Sequence, residues 1–370
     1  MSLILIPGPV ELSENVKLSF NDPALVPADP LFIAIFQRVL KNTRKLFNST
    51  DPSSQPLVIS GSGTLGWDLF AANSIDNGDN VLVIDTGFFS EHLGECLESY
   101  GAQVTYLKAE VGDIVPLKDI EAELGKKQYK AVTVTQVDTS TAVLNDVEGI
   151  CNIIKKVSPE SLIFVDGVCS IACETFEFDK WGVDFCASAS QKAIGAPVGL
   201  SVSIASGRFV KLAESHKNIG YFTSLKKWIP IMKSYEGGAS SYFATIPVET
   251  VNALDAALTD IFNYPNGLQG RIEATKKTSD EFKSNLQKLG LKLVSINENC
   301  QSHGVTAVFV DNPQKVIKYL RDNGVVITGG LLKDIGPKYI RIGHMGVSAC
   351  DPKLNHVQRC LELITEAIKE

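Results

Sequence analysis

Short apolar runs alternate with amphipathic stretches along the chain from about residue 55. Continuous runs rich in Val, Ile and Leu predict buried strands at 56–60, 81–85, 103–107, 131–137 and 162–165, and further apolar runs lie at 183–187 and 198–205. Between these runs, helical spacing of apolar residues predicts helices at 64–75, 88–100, 117–124 and 147–157. Continuous apolar strands separated by helices predict an α/β fold with a mostly parallel sheet covered by helices on both faces.

A break in a long helical region divides the chain. The turn-forming residues Tyr264-Pro265-Asn266-Gly267 interrupt the helical pattern, and we expect a domain boundary there. Beyond the break the sequence predicts a charged helix, strands near 305–310, 325–327 and 339–342, and a closing helix with one buried face formed by Val357, Cys360, Leu361, Ile364 and Ile368. A chain of 370 residues exceeds the size of most single cores. We therefore expect an N-terminal segment at 1–20, a large domain at 21–264 and a smaller C-terminal α+β domain at 265–370.

Composition and charge narrow the classes of partner. The chain is 44% hydrophobic and 21% charged, with a formal net charge of −7, which argues against nucleic acid or an anionic membrane as the main partner. No apolar run approaches the ~20 residues of a membrane-spanning helix, and the N-terminus lacks the basic region of a signal peptide. The eight cysteines lack CxxC spacing and the five histidines lack metal-ligand spacing. We expect buried free thiols, no metal, and a cytoplasmic location, with mitochondria or peroxisomes as the alternative.

Lys192 is the first candidate for catalysis. It lies in a glycine-flanked stretch of small residues, 188–199, between two apolar runs. In a loop between buried strands the amine can lose its water, and Schiff-base chemistry requires this because only the neutral amine attacks an aldehyde. Most lysines are solvated surface residues, so Lys192 alone does not establish this chemistry.

A glycine-rich loop at residues 61–66 is the second candidate. A predicted strand runs into a GxGxxG motif and then a helix, and Asp85 ends the following strand. This arrangement is the fingerprint of a dinucleotide site, which predicts an oxidoreductase. The underlying physics is more general, because free N–H groups at a helix N-terminus bind any phosphate, including that of pyridoxal phosphate. A tight turn without a ligand is the third interpretation.

Asp166 helps to choose between these cofactors. It stands at the carboxyl end of a predicted buried strand, where open α/β sheets bind their ligands, and Lys192 follows 26 residues later. A carboxylate beneath a pyridine nitrogen keeps that nitrogen protonated and makes the ring an electron sink. A pyridoxal enzyme needs this pair of residues, whereas a nicotinamide enzyme does not. The alternative for Asp166 is a simple strand-end cap.

Seven short motifs occur in an order that resembles a known family. They are residues 7–9 (PGP), 62–64 (SGT), 138–141 (DTST), the strand end at Asp166, 188–192 (SASQK), 242–247 (YFATIP) and 339–343 (YIRIG). Together they resemble the alanine–glyoxylate (serine–pyruvate) aminotransferases, in the class V group of fold-type I pyridoxal-phosphate enzymes, over nearly the whole chain. The resemblance implies a large domain built on a mostly parallel seven-stranded sheet.

The resemblance also implies a pyridoxal 5′-phosphate site. Lys192 would carry the cofactor as an aldimine and move the substrate proton, and Asp166 would pair with the pyridinium nitrogen. Phe89 would stack on the ring, and Ser140 would hydrogen-bond near the phenolic oxygen. The alternative for Phe89 is an ordinary core residue at the start of a helix. The phosphate would be held by Ser62, Gly63, Thr64 and Gln191.

Further implied contacts concern the substrate and a second subunit. Arg341 would bind the substrate carboxylate, and Gly8, in the N-terminal segment, would line the substrate pocket. Tyr242 and Thr245 would reach the phosphate of the neighbouring subunit, which implies a homodimer with shared active sites. The alternatives are a strand ion pair for Arg341 and an ordinary loop for Tyr242 and Thr245.

The implied reaction is transfer of the amino group of L-alanine or L-serine to glyoxylate by a ping-pong mechanism, giving glycine and, from L-alanine, pyruvate. Two positions depart from the family pattern. Val26-Pro27 replaces a Gly-His pair, and Gly167 stands where relatives more often have alanine. The rivals are a cysteine desulfurase, a kynureninase-type or phosphoserine enzyme, an oxidoreductase that uses the GxGxxG loop, and a non-catalytic homologue.

Overall fold

The computed structural model describes residues 2–21, 24–217 and 220–369. Its strands are β1 Leu3–Ile4, β2 Gln55–Ser60, β3 Asn80–Asp85, β4 Gln103–Lys108, β5 Ala131–Thr135, β6 Val137–Asp138, β7 Val143–Leu144, β8 Leu162–Asp166, β9 Phe185–Ala189, β10 Leu200–Ala205, β11 Val305–Phe309, β12 Val325–Val326, β13 Thr328–Gly329 and β14 Tyr339–Gly343. Its α-helices are α1 Glu14–Leu18, α2 Pro30–Leu46, α3 Gly63–Ala72, α4 Phe88–Ser99, α5 Leu117–Leu124, α6 Val147–Val157, α7 Phe178–Trp181, α8 Gly207–Ser215, α9 Leu225–Glu236, α10 Val248–Asn263, α11 Gly267–Lys288, α12 Pro313–Asp322, α13 Val347–Cys350 and α14 His356–Lys369.

A seven-stranded sheet forms the centre of the large core, in the order β2-β10-β9-β8-β5-β3-β4. Strand β10 is antiparallel to both of its neighbours, and every other pair in this sheet is parallel. All residues of β5, β8 and β9 are buried, so both faces of the sheet centre are covered. The expected mostly parallel sheet is confirmed.

The direction of β10 follows from the length of the segment before it. Parallel neighbours need a crossover of about a dozen residues or more, usually a helix. Only residues 190–199 separate β9 from β10, and they contain no helix. The chain therefore turns back on itself, and the turning segment, which carries Lys192, stays at the edge of the sheet where β9 ends.

The predicted elements of the large core agree closely with the structure. The helices expected at 117–124 and 147–157 are α5 and α6, and Asp146 caps α6 by accepting a hydrogen bond from the Gly149 N–H. The helix expected at 64–75 ends earlier, at Ala72. The strand expected at 131–137 is interrupted at Gln136, whose N–H bonds to the Asp166 carbonyl group, and it continues as β6.

A second, smaller core is built from C-terminal elements around the three-stranded sheet β11-β14-β13. On α14 the predicted buried face is confirmed at Val357, Cys360, Leu361 and Ile364, while Ile368 is half-buried. Strand β1 pairs in parallel with β12, and the side chain of Leu5 packs into this second core. The N-terminal segment is therefore anchored to the C-terminal part of the chain.

The expected break in the helical region is present between α10 and α11. Asn266 and Gly267 both have positive φ, 61° and 59°, which ends one helix and begins the next. Phe282 and Leu286, further along α11, pack in the second core. The division into domains after residue 264 stays a prediction.

All eight cysteines are free, and seven of them are buried. Among the described residues, no helix is long and apolar enough to cross a bilayer, and no cluster of side chains is suited to hold a metal ion.

Candidate active site

Five parallel strands place their carboxyl ends at one edge of the central sheet. The strands are β2, β9, β8, β5 and β3. Asp166 is the last residue of β8, and the segments that follow β2, β9, β5 and β3 carry Ser62, Lys192, Ser140 and Phe89, respectively. Open α/β sheets bind their ligands at this edge. The topology therefore brings together residues that are up to 130 positions apart in the sequence.

Asp166 is a buried carboxylate held at the end of β8. Its side chain is 4% exposed, and it accepts hydrogen bonds from the Trp67 Nε1–H at 3.0 Å and the Val168 N–H at 2.9 Å. Burial raises the pKa of Asp166 to about 6, against the opposing effect of these two hydrogen bonds. A cation beside Asp166 would stabilise its ionised form.

Lys192 extends from the loop after β9 towards the N-terminal segment. Its Nζ donates a hydrogen bond to the carbonyl oxygen of Pro7. Gly8 lies directly against the lysine, because a Cβ atom built at Gly8 would lie 2.4 Å from the Lys192 Cδ and 2.9 Å from its Nζ. Gly8 also has a φ of 87°, which favours glycine. The N-terminal segment thus forms one wall of the space around the amine.

The glycine-rich loop presents unpaired donors at the start of α3. Ser62 is the N-cap residue but its side chain makes no capping hydrogen bond, and the N–H groups of Gly63 and Thr64 have no acceptor among the described residues. A Cβ at Gly63 would lie 2.6 Å from a methyl group of Val168, so only glycine lets the helix approach β8 this closely. Gln191 is buried, and its Oε1 has no partner in the described part of the chain. The N–H groups of Gly63 and Thr64 form a cradle for an anion.

A buried carboxylate, Asp138, connects the loop after β5 to the start of α4. It accepts hydrogen bonds from the N–H groups of Ser140, Phe89 and Ser90, and from the Ser140 hydroxyl at 2.6 Å. The Ser140 oxygen in turn accepts the Phe88 N–H at 3.0 Å. The single hydroxyl proton of Ser140 is therefore donated to Asp138, and only a lone pair remains for a ligand. Phe89 is half-buried and its backbone position is fixed by Asp138.

Arg341 reaches the same loop from β14 of the second core. Its Nε donates to the Gly329 carbonyl at 2.8 Å and its Nη1 to the Thr139 carbonyl at 3.3 Å. The guanidinium is buried, and it forms no ion pair with a carboxylate in the described ranges. Burial lowers the pKa of Arg341. A strand ion pair, the alternative interpretation of Arg341, is thus not what the structure contains.

Tyr242 and Thr245 form no hydrogen bond with these site residues within the described chain. Both side chains are exposed, and their hydroxyl groups lie 3.5 Å from each other. Val26, in the segment that departs from the family pattern, is also exposed. The other departure has a local cause, because a Cβ at Gly167 would lie 2.8 Å from Ile171 and 3.0 Å from the Cys186 sulfur.

Sequence reasoning missed three groups that organise the site. Trp67 holds Asp166, the Pro7 carbonyl holds the Lys192 amine, and the hydroxyl of Tyr339 donates to the Ser140 carbonyl at 2.6 Å. Pro7 and Tyr339 lie within motifs that the sequence analysis singled out, but their partners are distant in sequence. Nothing in the local pattern around Trp67 indicates its contact with Asp166.

The sequence profile of the class-V aminotransferases matches residues 29–332 of this chain. The chain is 52% identical to alanine–glyoxylate aminotransferase 1 of Saccharomyces cerevisiae, with 99% of this chain and 97% of the yeast protein covered. It is 27% identical to serine–glyoxylate aminotransferase of Arabidopsis thaliana, over 93% of this chain and 85% of the plant protein.

The fold is similar to that of a solved alanine–glyoxylate aminotransferase from Nostoc sp. That likeness has a TM-score of 0.88 at 24% identity and covers 98% of this chain and 95% of the Nostoc chain. At this identity the comparison speaks for the fold, and it agrees with the expected fold-type I architecture.

Proposed function

Because the chain belongs to the class-V aminotransferase family, we propose that it transfers the amino group of L-alanine, or of L-serine, to glyoxylate, giving glycine. One observation carries the proposal: the Lys192 amine, the buried Asp166 carboxylate and the Arg341 guanidinium are assembled around one edge of the sheet. The donor and acceptor are suggested by the yeast relative, which shares 52% identity. The serine–glyoxylate relative keeps L-serine as a second candidate donor.

We propose pyridoxal 5′-phosphate as the cofactor, and the residues present fit it. The N–H groups of Gly63 and Thr64, which have no acceptor among the described residues, offer donors to a phosphate, and the side-chain NH2 group of Gln191 is proposed as a further donor. Among the described residues, no cation makes a hydrogen bond to the buried Asp166 carboxylate, and a protonated pyridine nitrogen would supply one. When bound, the cofactor supplies an electron sink that stabilises negative charge at the substrate Cα.

Lys192 is proposed to act as the base and acid of the reaction. In the described arrangement its Nζ is held by the Pro7 carbonyl, beside the space that Gly8 leaves open. The same amine can take the proton from the Cα of the amino donor and later release it. One flexible side chain can reach both the position where the proton is taken and the position where it is delivered. Pro7 and Gly8 therefore position the amine, and any side chain at residue 8 would displace it.

Arg341 is proposed to bind the carboxylate of the substrate. A guanidinium provides parallel N–H donors that match a carboxylate in a bidentate pair. Because the buried Arg341 has no ion pair within the described residues, its charge is only partly compensated by two carbonyl groups. An incoming carboxylate would complete this compensation, which favours binding of an α-amino or α-keto acid.

Asp138 and Ser140 are proposed to act by position. Asp138 fixes the N-terminal turn of α4 and thereby Phe89, whose ring we propose stacks on the cofactor. Ser140, whose proton is donated to Asp138, stabilises this turn in place of donating to the phenolic oxygen. In this proposal the loop after β5 sets the orientation of the cofactor ring and does not set the charge of that ring.

We further propose a homodimer in which Tyr242 and Thr245 contribute to the partner's phosphate site. Both are exposed in the single chain, where their side chains bond only to each other among the described residues. A cytoplasmic location is proposed as well, supported by eight cysteines that are all free.

Two rival functions require features that the described residues do not provide. A dinucleotide oxidoreductase would need Asp85 for a ribose, but this buried carboxylate accepts the Ser90 hydroxyl at 2.8 Å and pairs with Lys108 at 3.4 Å. A cysteine desulfurase would need an accessible thiolate. Cys96, the one cysteine that is not fully buried, has its pKa raised to about 12 by burial and by the nearby Asp68, which disfavours the thiolate.

The visible spectrum of the purified protein tests the proposed function. We expect a yellow protein whose colour is lost on addition of L-alanine and returns on addition of glyoxylate, which would report both half-reactions. The Lys192→Ala variant should show no such cycle. A protein that stays colourless when pyridoxal phosphate is supplied would contradict both the cofactor and the reaction.

A further inference from the structure

A cavity lies beside the loop that carries Lys192, and its lining includes none of the residues assigned above to the proposed reaction. It has a volume of about 530 Å³, and its wall includes Ile194 and Gly195, which follow Lys192 closely in the chain. The N-terminal segment, the junction of α10 and α11, and the residues around α13 form the rest of the wall. This volume is ample for a small metabolite.

Arg271 lines this cavity with a guanidinium that has almost no partners. The residue is 6% exposed, its Nη2 makes one long contact of 3.4 Å with the Ala193 carbonyl, and its Nε has no acceptor among the described residues. The arginine ion pairs in the described part of the chain involve Arg38, Arg44, Arg208 and Arg359, so Arg271 is not among them. An isolated buried cation is costly unless an anion or other acceptors complete its hydrogen bonds.

The backbone around Arg271 leaves its guanidinium free of side chains. A Cβ built at Gly195 would lie 3.5 Å from the Nη2, and one at Gly346 would lie 3.8 Å from it. Both glycines have positive φ, 82° and 62°. The backbone at these two glycines therefore lies close to the guanidinium, and neither residue adds a side chain that could bond to it.

Three carboxylates line the same cavity without pairing with Arg271. Each accepts a hydrogen bond from the protein: Glu11 from the Ile4 N–H at 2.8 Å, Asp260 from the Ser13 hydroxyl at 2.5 Å, and Asp351 from the Lys353 N–H at 3.0 Å. Within the described residues, none of the three forms an ion pair with a lysine or arginine. The cavity thus holds a buried positive group and negative groups that do not neutralise each other directly.

We propose that this cavity binds a small zwitterionic amino acid, with its carboxylate on Arg271 and its ammonium group facing Asp351 and Glu11. A simple anion would be repelled by the three carboxylates, and a simple cation would leave Arg271 without a partner. A zwitterion offers an anionic group to Arg271 and a cationic group to the carboxylates. Because Arg271 also contacts the Ala193 carbonyl, a ligand bound in the cavity would affect the position of the loop that carries Lys192. The proposal does not depend on the reaction proposed above.

Calorimetric titration of the purified protein with L-proline tests this site. L-Proline is a zwitterion whose secondary amine cannot be transferred, and the titration is done in the Arg341→Gln background to remove the proposed substrate carboxylate site. We expect one binding event per chain that Arg271→Gln weakens by at least about tenfold, because a charge-assisted hydrogen bond is lost. Arg359→Gln, an exposed arginine on α14, is the matched control and should bind as before.

Asp351→Asn provides a second, milder variant. Asparagine keeps the side-chain oxygen that accepts the Lys353 N–H but removes the negative charge, so folding should be preserved while binding of L-proline weakens. Acetate, the carboxylate alone, should bind at least about tenfold more weakly than L-proline. The proposal is overturned if L-proline does not bind in the Arg341→Gln background, if Arg271→Gln and Asp351→Asn bind it unchanged, or if acetate binds equally well.

Discussion

Asp166 offers a test of how burial of its carboxylate affects the pH dependence of stability and the binding of the cofactor. The carboxylate is 4% exposed, and burial raises its pKa from the ordinary 3.8 to about 6 when no cation is bound beside it. A raised pKa for an acid means that ionisation destabilises the fold. The destabilisation is absent at pH values well below 3.8, grows as the pH rises towards about 6, and is fully present above that value.

The size of this effect follows from the two pKa values. At about 1.4 kcal/mol for each pH unit, the ionised Asp166 destabilises the cofactor-free protein by about 3 kcal/mol at neutral pH, of which about 2 kcal/mol develops between pH 4.5 and pH 7.5. Asp166→Asn removes this pH dependence. The variant also leaves one of the two N–H groups that bond to Asp166, the Trp67 Nε1–H or the Val168 N–H, without its acceptor, since one carboxylate oxygen becomes an amide nitrogen, and this costs about 1–3 kcal/mol at every pH.

The assay is urea unfolding of both proteins without cofactor, at a series of pH values between 4.5 and 7.5. We expect the wild-type protein to lose about 2 kcal/mol relative to Asp166→Asn across this range, whatever the offset between the two. Added pyridoxal phosphate should then stabilise the wild type more than the variant, because the carboxylate gains a cationic partner. If the difference between the two proteins is the same at both ends of the pH range, Asp166 is not the strained carboxylate inferred here.

Three further predictions concern Gly8 beside Lys192, the buried Arg341, and the proposed site shared between subunits. Gly8→Ala should lower kcat at least about tenfold because its Cβ would displace the Lys192 side chain, whereas Gly78→Ala, with a similar φ of 91° and open space around it, should leave kcat unchanged; equal kcat values would refute the positioning role. Arg341→Gln should raise the KM for L-alanine by about tenfold or more in steady-state assays, while Arg321→Gln, exposed on α12, should not. Co-expression of Lys192→Ala with a Tyr242→Phe/Thr245→Val double variant, each of low activity alone, should restore activity through mixed dimers, and no recovery in isolated mixed dimers would contradict the shared site.

The sheet of the large core could be predicted because its strands are continuous apolar runs. β5 and β8 are buried at every position, and such strands leave a clear signal in the sequence. Helix α2 was not predicted although its start carries a recognisable pattern, with Asp29 as N-cap and Pro30 at the first position. Helix α9 contains Pro230 in its interior, which argues against a helix when only the local sequence is considered.

Some residues of the candidate site could be predicted because a strand close to them in the sequence determines their position. Lys192 and Asp166 follow strands directly, so their place at the sheet edge could be inferred from strand ends alone. Contacts between distant segments could not be inferred, since Trp67 and Asp166 are 99 positions apart and Arg341 and Thr139 are 202 apart. The hydrogen bond from the Ser140 hydroxyl to Asp138 could not be inferred either, because such a bond has no signature in composition or spacing.

The second core holds several parts of the site at once. Tyr339 and Arg341, on β14, bond to the carbonyl groups of Ser140 and Thr139, at 2.6 Å and 3.3 Å. The Leu5 carbonyl accepts the N–H of Gly343 from the same strand at 2.8 Å, and this fixes the segment that carries Pro7 and Gly8. A displacement of β14 would therefore move the proposed carboxylate site, the loop that orients Phe89, and the carbonyl that holds the Lys192 amine together. If Arg341 binds the substrate carboxylate as proposed above, that carboxylate is bound to the same strand whose Gly343 N–H fixes the segment carrying Pro7.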